Sequence, residues 1–179
     1  MSVVMVTGGV RSGKSAFAEE ICRSWGGRVL YVATGGTPRD EEMRARVELH
    51  RQRRPHDWGL IEEPLEPQKW LSHPEPYDIV LIDSLSAWVA NRVMNVDESD
   101  REQFRRLPEE LETEWHRLLP CFGRQKTVIV TDETGLGGVA LSPMGRLFQE
   151  TLGRVNQLTA RFADEVWMVV SGIPWRLKG

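Results

Sequence analysis

The eight residues Gly8-Gly9-Val10-Arg11-Ser12-Gly13-Lys14-Ser15 constrain this chain more than any others. They fit the G-x-x-x-x-G-K-[ST] phosphate-binding pattern directly after an apolar run, Val3-Val4-Met5-Val6. In such a loop the glycines let backbone N–H groups converge on phosphate oxygens, the Lys14 ammonium reaches the β- and γ-phosphates, and the Ser15 hydroxyl ligates Mg²⁺. A helical pattern follows from Ser15 to about Ser24, with Ala16, Phe17, Ile21 and Cys22 at apolar positions. The loop therefore opens on the positive N-terminus of a helix. Strand before and helix after separate a working loop from a chance glycine cluster, so the chain is expected to bind a nucleoside triphosphate.

Short β-rich runs at Val3 to Thr7, Val29 to Thr34, Ile79 to Asp83, Thr127 to Thr131 and Val166 to Val170 alternate with helical patterns. Near-continuous apolar strands are buried on both faces. This predicts an α/β fold of the P-loop, RecA-like kind: a mostly parallel sheet with helices on both faces and ligands at the carboxyl ends of the strands. At 179 residues the chain is long enough for one well-buried core and short for two, so a single nucleotide-binding domain over 1–179 is expected. Behind a Ser142 cap and Pro143 at a first helical position, Met144, Leu147, Phe148, Leu152, Val155, Leu158 and Phe162 recur at helical spacing and predict a core helix. The stretch from Asp97 to Arg117 carries Phe104, Leu107, Leu111 and Trp115 at the same spacing, an amphipathic helix that Pro108 is expected to break or restart. Between Glu62 and Tyr77, Pro64, Pro67, Pro74 and Pro76 mark an irregular connection with one helical turn around Gln68 to Leu71.

A net charge of −3 lacks the basic footprint of a nucleic-acid binder, and a small-molecule partner is expected instead. Two cysteines, Cys22 and Cys121, are too few and too far apart for a zinc cage or a disulfide framework, and a reducing cytoplasm is the expected compartment. The apolar run before Gly8 is short and without a basic start, and no apolar stretch approaches roughly 18 residues, so neither secretion nor membrane insertion is expected.

Two positions carry candidate chemistry beyond the loop. Ile79-Val80-Leu81-Ile82-Asp83 is an apolar strand ending in a carboxylate, the second element of a phosphate-loop enzyme, where the acid holds Mg²⁺ directly or through water. An aspartate in this place also suits the cap of the next helix, for which Ser84 competes, and with the loop present the metal role is preferred. His50 lies on a helix predicted to start at Thr37-Pro38-Arg39-Asp40 and to run to about Arg54, where Pro55 stops it. It shares a face with Met43, Val47 and Arg54, which fits a core histidine. Arg44, Arg46, Arg51, Arg53 and Arg54 crowd the same segment of a net-negative chain, which fits a catalytic or phosphate-contacting one. Spacing alone leaves both open. His56, His73 and His116 sit in loops or on charged faces and receive no role.

The phosphate loop, the segment Asp40 to Arg46 leading to His50-Arg51-Gln52-Arg53-Arg54-Pro55, the run Glu133-Thr134-Gly135-Leu136-Gly137, and Gly153-Arg154-Val155-Asn156-Gln157 followed by Ala163 to Pro174 occur in a specific order. Over nearly its whole length the chain thereby resembles the bifunctional adenosylcobinamide kinases and adenosylcobinamide-phosphate guanylyltransferases of cobalamin biosynthesis. The resemblance implies phosphorylation of a corrinoid hydroxyl by ATP or GTP with Mg²⁺, then transfer of GMP from GTP through a guanylylated histidine, in a homotrimer. The guanylylated histidine falls on His50, the one just before the basic stretch that ends in Arg54-Pro55. The implied nucleotide contacts fall on Gly8, Gly9, Val10, Arg11, Ser12, Gly13, Lys14 and Ser15, on the turn Thr34-Gly35-Gly36, on Arg51, Gln52, Arg53 and Arg54, on Glu62 and on Asp83. Two departures stand out: the acid closing the third strand is Asp83, where some members carry Glu, and Asp132 stands where Asn is expected before Glu133.

Without the resemblance, the residues also allow a monofunctional small-molecule or nucleotide kinase in which His50 is structural. They further allow a nucleotide-driven switch protein, although no guanine-specifying N-K-x-D loop is evident.

Overall fold

A computed structural model describes residues 2–36, 41, 55, 57–71 and 76–179. Seven strands among them form one sheet: β1 (Val3–Gly8), β2 (Val29–Ala33), β3 (Gly59–Glu62), β4 (Ile79–Asp83), β5 (Lys126–Val130), β6 (Glu165–Val170) and β7 (Ile173–Lys178), in the order β3-β2-β4-β5-β1-β6-β7. All neighbouring strands are parallel except β6 and β7. The five apolar runs of the sequence are β1, β2, β4, β5 and β6, and the first four are buried along almost their whole length. A strand flanked on both edges and covered on both faces has no polar side to show.

Two strands were not expected. β3 is an edge strand of four residues, alternately half-buried and exposed. β7 is exposed throughout and contains Pro174, which a sheet edge tolerates. A two-residue turn joins β7 to β6, with φ of 52° at Ser171 and 82° at Gly172, the paired positive φ of a type I′ hairpin.

Four α-helices among the described residues cover the sheet: α1 (Lys14–Trp25), α2 (Leu85–Met94), α3 (Arg101–Phe122) and α4 (Pro143–Phe162). Successive strand residues face opposite sides, and the core divides accordingly. Val4, Val6, Tyr31, Leu81 and Val128 pack with Ala18 and Cys22 of α1. Met5, Val32, Ile82 and Ile129 pack with Leu85 and Trp88 of α2, Leu111 and Trp115 of α3, and Leu152 of α4. Each large apolar side chain buried in this way contributes about 1.5–3 kcal/mol. Burial, helped by nearby Glu19, pushes the Cys22 thiol up to about 12, so it serves as a small apolar residue.

Trp70, Trp88, Trp115 and Phe122 are fully buried and form a chain of ring contacts with centroids 5.4 to 6.4 Å apart. Each buried indole finds an acceptor for its N–H, as such a group must. Trp115 donates to Thr159 Oγ1 at 2.8 Å, while Trp70 and Trp88 donate to the carbonyls of Glu63 and Leu65 at 2.9 and 3.1 Å. The last two bonds fix the chain just beyond β3.

Helix α4 follows its predicted stripe, and the Ser142 hydroxyl accepts from Gly145 N at 3.0 Å as its cap. Helix α3 differs from expectation. It begins at Arg101, capped by Asp100 on the N–H groups of Glu102 and Gln103, and it runs unbroken through Pro108 to Phe122. A proline forfeits one backbone bond, here to the carbonyl of Phe104, and the buried Pro108 ring offsets this by packing in the core. The single turn expected around Gln68 to Leu71 is a 3₁₀ turn over Pro67–Leu71. The helix predicted from Thr37 to Arg54 lies outside the described residues apart from Glu41; so do His56 and His73.

Candidate active site

The carboxyl edge of the sheet gathers most of the residues singled out in the sequence. Gly8 ends β1, and a Cβ there would collide with the carbonyl oxygen of Val169 and lie 2.7 Å from Ser12 Oγ. Gly13 has φ 96°, a left-handed conformation open to glycine, and its missing Cβ leaves room for Gly172, whose Cα would stand 3.3 Å away. The loop is braced from the β6–β7 hairpin by Gly172 N, which donates to Ser12 O at 2.8 Å, and by Glu133 N, which donates to Gly8 O at 3.1 Å. Helix α1 starts at Lys14 behind Gly13, which has no side chain to cap the first N–H groups, and it has no acid in its first turn. Those donors are left for an anion, where the helix dipole favours one. Arg11 takes φ 58° on the rim, and Val10 is exposed.

Strand register brings the other positions to the same edge. Asp83 pairs with Ala33 on one side and Val130 on the other, while Ala33 pairs in turn with Glu62. Glu62, exposed at the end of β3, stands four strands from β1. At about 4.8 Å per strand that is roughly 19 Å, so a ligand touching both must extend along the edge. Thr34 is fully buried, and its hydroxyl donates to Ser84 O at 2.5 Å and accepts from Ser84 N at 2.8 Å. This hydroxyl holds the shape of the turn leading to Gly35 and Gly36. Next to Glu62, burial raises the Glu63 carboxyl, but the N–H groups of Leu65 and Glu66 and the Lys69 ammonium outweigh it and hold the group below the usual carboxylate range.

Ser84, and not Asp83, caps α2, with its side chain accepting from Ala87 N. Asp83 is thereby free for other work. Its Oδ1 lies 3.4 Å from the Ser15 hydroxyl and its Oδ2 accepts from the Tyr31 hydroxyl at 2.5 Å. One serine hydroxyl and one carboxylate, both hard oxygen donors, suit Mg²⁺, which keeps several waters and takes its remaining ligands from nucleotide phosphates. No group of three or more His, Cys, Asp or Glu among the described residues forms a protein-only cage.

Residues that the sequence left without a role gather next to Lys14 and at the strand exits. The Lys14 side chain is 9% exposed, its Nζ donates to Gly9 O at 3.1 Å, and it lies 2.5 Å from Asp132 Oδ1. Ser86 Oγ donates to Asp132 Oδ2 at 2.5 Å, and Asn156 Nδ2 donates to Asp132 O at 3.0 Å. Asn91 of α2 donates from Nδ2 to Thr34 O at 2.8 Å and to Pro64 O at 3.4 Å, tying the β2 and β3 exits together. Asp132 gave a signal in the sequence as an acid where an amide was expected, and Asn156 as part of the run Gly153 to Gln157; Ser86 and Asn91 gave none. His50 and Arg51 to Arg54 lie outside the described residues.

A loop shaped for phosphate oxygens, with a strand-ending carboxylate against its serine, puts the chain among the P-loop nucleotide-binding proteins. The solved structure of PH0250 from Pyrococcus horikoshii OT3 is similar in fold, with a TM-score of 0.52 at 9% identity over 99% of this chain and 86% of that one. Sequence then narrows the class. The family model described as cobinamide kinase / cobinamide phosphate guanyltransferase matches residues 4–177, and the chain belongs to that family. It is 37% identical to the bifunctional adenosylcobalamin biosynthesis protein CobU of Escherichia coli K12, over 98% of this chain and 99% of the relative. It is 35% identical to the bifunctional adenosylcobalamin biosynthesis protein CobP of Pseudomonas aeruginosa, over 98% and 96%.

Proposed function

We propose that this chain phosphorylates adenosylcobinamide with ATP or GTP and then transfers GMP from GTP to the resulting phosphate through a guanylylated His50. The observation that carries the reading is the family match over residues 4–177, on a chain whose phosphate loop presents a buried lysine and an uncapped helix N-terminus. The whole chain acts as one domain, a reading supported by a single sheet that takes strands from Val3 to Lys178.

In the kinase step the loop Gly8 to Ser15 binds the triphosphate, and Lys14 offsets charge that develops on the transferred phosphoryl group. Ser15 and Asp83 hold Mg²⁺, which supplies charge neutralisation for the phosphates. In the second step an unprotonated ring nitrogen of His50 forms a bond to the α-phosphorus of GTP as the bond to pyrophosphate breaks. A phosphate oxygen of the cobinamide phosphate then attacks the same phosphorus, releasing His50 and leaving a diphosphate linkage to GMP. Arg51, Arg53 and Arg54 offset the anionic charge of both transfers, with Gln52 among them and Thr34, Gly35, Gly36 and Glu62 toward the nucleoside end.

The working form is a homotrimer. This is supported by the exposed β7, whose Ile173, Trp175 and Leu177 are 70%, 65% and 50% exposed on the sheet's edge. Free thiols at Cys22 and Cys121 support a cytoplasmic location. No helix among the described residues is long and apolar enough to cross a membrane.

Incubation with GTP labelled at the α-phosphate tests the central claim. Protein-bound label that is acid-labile and alkali-stable is expected, and His50→Ala should abolish it. Label that persists in His50→Ala, or γ-phosphate transfer with no covalent nucleotide in the parent protein, overturns the reading.

A further inference from the structure

The carboxylate of Asp132 is engaged at both oxygens, one by the Lys14 ammonium and the other by the Ser86 hydroxyl. Ser86 Oγ is itself 2.9 Å from Ser84 Oγ, so the hydroxyls at the start of α2 hold the acid from one side. From the other side Asn156 of α4 donates to the Asp132 carbonyl, while its Oδ1 accepts from the buried Thr131 hydroxyl at 2.8 Å. Two helices thus fix one acid against the lysine of the phosphate loop. With side-chain exposures of 9% for Lys14 and 25% for Asp132, the pair is only partly screened by solvent ions.

A polyphosphate brings its negative charge to the same ammonium. A carboxylate and a phosphate brought that near repel each other, so each weakens the other's hold on the ammonium. We propose that Asp132 is a positioning residue that holds Lys14 between turnovers, yields it to an incoming triphosphate, and recaptures it once the γ-phosphoryl group has left. The acid thereby sharpens discrimination of triphosphate from diphosphate and hastens release of the spent nucleotide. A triphosphate wins the competition because its terminal group adds charge beside Lys14; a diphosphate lacks that group and loses ground to the fixed acid. An asparagine in this place keeps the size of the side chain but offers one acceptor oxygen where the carboxylate uses two, and it removes the negative charge that competes for the ammonium. This inference rests on the reading of Gly8 to Ser15 as a triphosphate site.

The test is calorimetric titration of the full chain with Mg²⁺·β,γ-imido-ATP and with Mg²⁺·ADP, before and after Asp132→Asn. The amide should tighten ADP binding about tenfold, the scale of one charge-assisted contact, and the triphosphate analogue less, so that the ratio of the two affinities narrows. A merely structural residue would weaken both ligands when replaced. The effect should vanish when Asp132→Asn is placed on Lys14→Ala, since its cause is competition for that ammonium. Asp132→Ala carries the same expectation should the amide fail to fold, with thermal melting of each variant as the control. An unchanged ratio, or weaker binding of the Mg²⁺-loaded analogue by both folded variants, overturns the proposal and leaves the triphosphate site standing. A folded parent protein that binds neither nucleotide overturns both.

Discussion

Asp83 is reached by two hydroxyls from different elements, Ser15 at the head of α1 and Tyr31 in β2. The phenol bond fixes the carboxylate's rotamer, so the face turned to Ser15 is held in place before any cation arrives, and such supporting groups are worth about 10- to 100-fold in metal-site performance. Asp83→Asn is therefore expected to lower the rates of both phosphoryl and GMP transfer about 100-fold and to raise the Mg²⁺ concentration for half-maximal rate. Tyr31→Phe, which keeps the charge, should fall roughly tenfold. Titration of Mg²⁺ under steady-state turnover reads both; equal half-maximal Mg²⁺ in the parent and Asp83→Asn would remove Asp83 from the metal site. The strand-ending acid was legible in the sequence because, in a chain that also carries a phosphate loop, a buried strand closing on a carboxylate puts a metal-binding oxygen at the edge where the phosphates lie. Tyr31 was not, because an aromatic residue inside a buried strand reads as core, and its ring does pack there; only its hydroxyl reaches the edge.

At the scale of elements, α2 organises the nucleotide edge. Asn91 joins the β2 exit to the β3 exit, Trp88 adds its indole N–H to Leu65 O, and Arg92 pairs with Glu114 of α3 at 2.8 Å. Asn91→Ala should cost about 1–3 kcal/mol, because Thr34 O is left without its donor, and urea unfolding measures this directly. It should also raise KM for nucleotide more than it lowers kcat, as expected when a binding loop loses its tether while the reacting groups stay. A change in kcat alone would remove the tethering role. The four buried parallel strands followed from continuous apolar runs and the two long helices from apolar periodicity, apart from the break expected at Pro108. Helix α2 carries the stripe Leu85, Trp88, Val89 and Val93 at helical spacing; what spacing does not express is the burial of Ser86, which has a polar reason. Edge strands β3 and β7 escaped because their partners lie on one side only and their residues carry little burial signal.

For the whole molecule, the sheet ends on one side at β7, which among the described residues has an unpaired edge and leaves Ile173, Trp175 and Leu177 exposed. An exposed apolar edge strand is a contact surface or a liability, and a lysine at its end and one proline are slight protection. If β7 lies between subunits of a trimer, Trp175→Glu should shift the species seen in sedimentation equilibrium from trimer toward monomer; an unchanged trimer would place the interface elsewhere. The hairpin that carries β7 also touches the chemistry, since Gly172 N donates to Ser12 O behind the phosphate loop. Whatever clamps the hairpin from outside therefore stiffens the cradle from behind. If the clamp is a neighbouring subunit, activity per subunit should fall as the enzyme is diluted and the wild-type protein should then come to resemble Trp175→Glu; the outermost strand would in that case sense how crowded the enzyme is with its own kind.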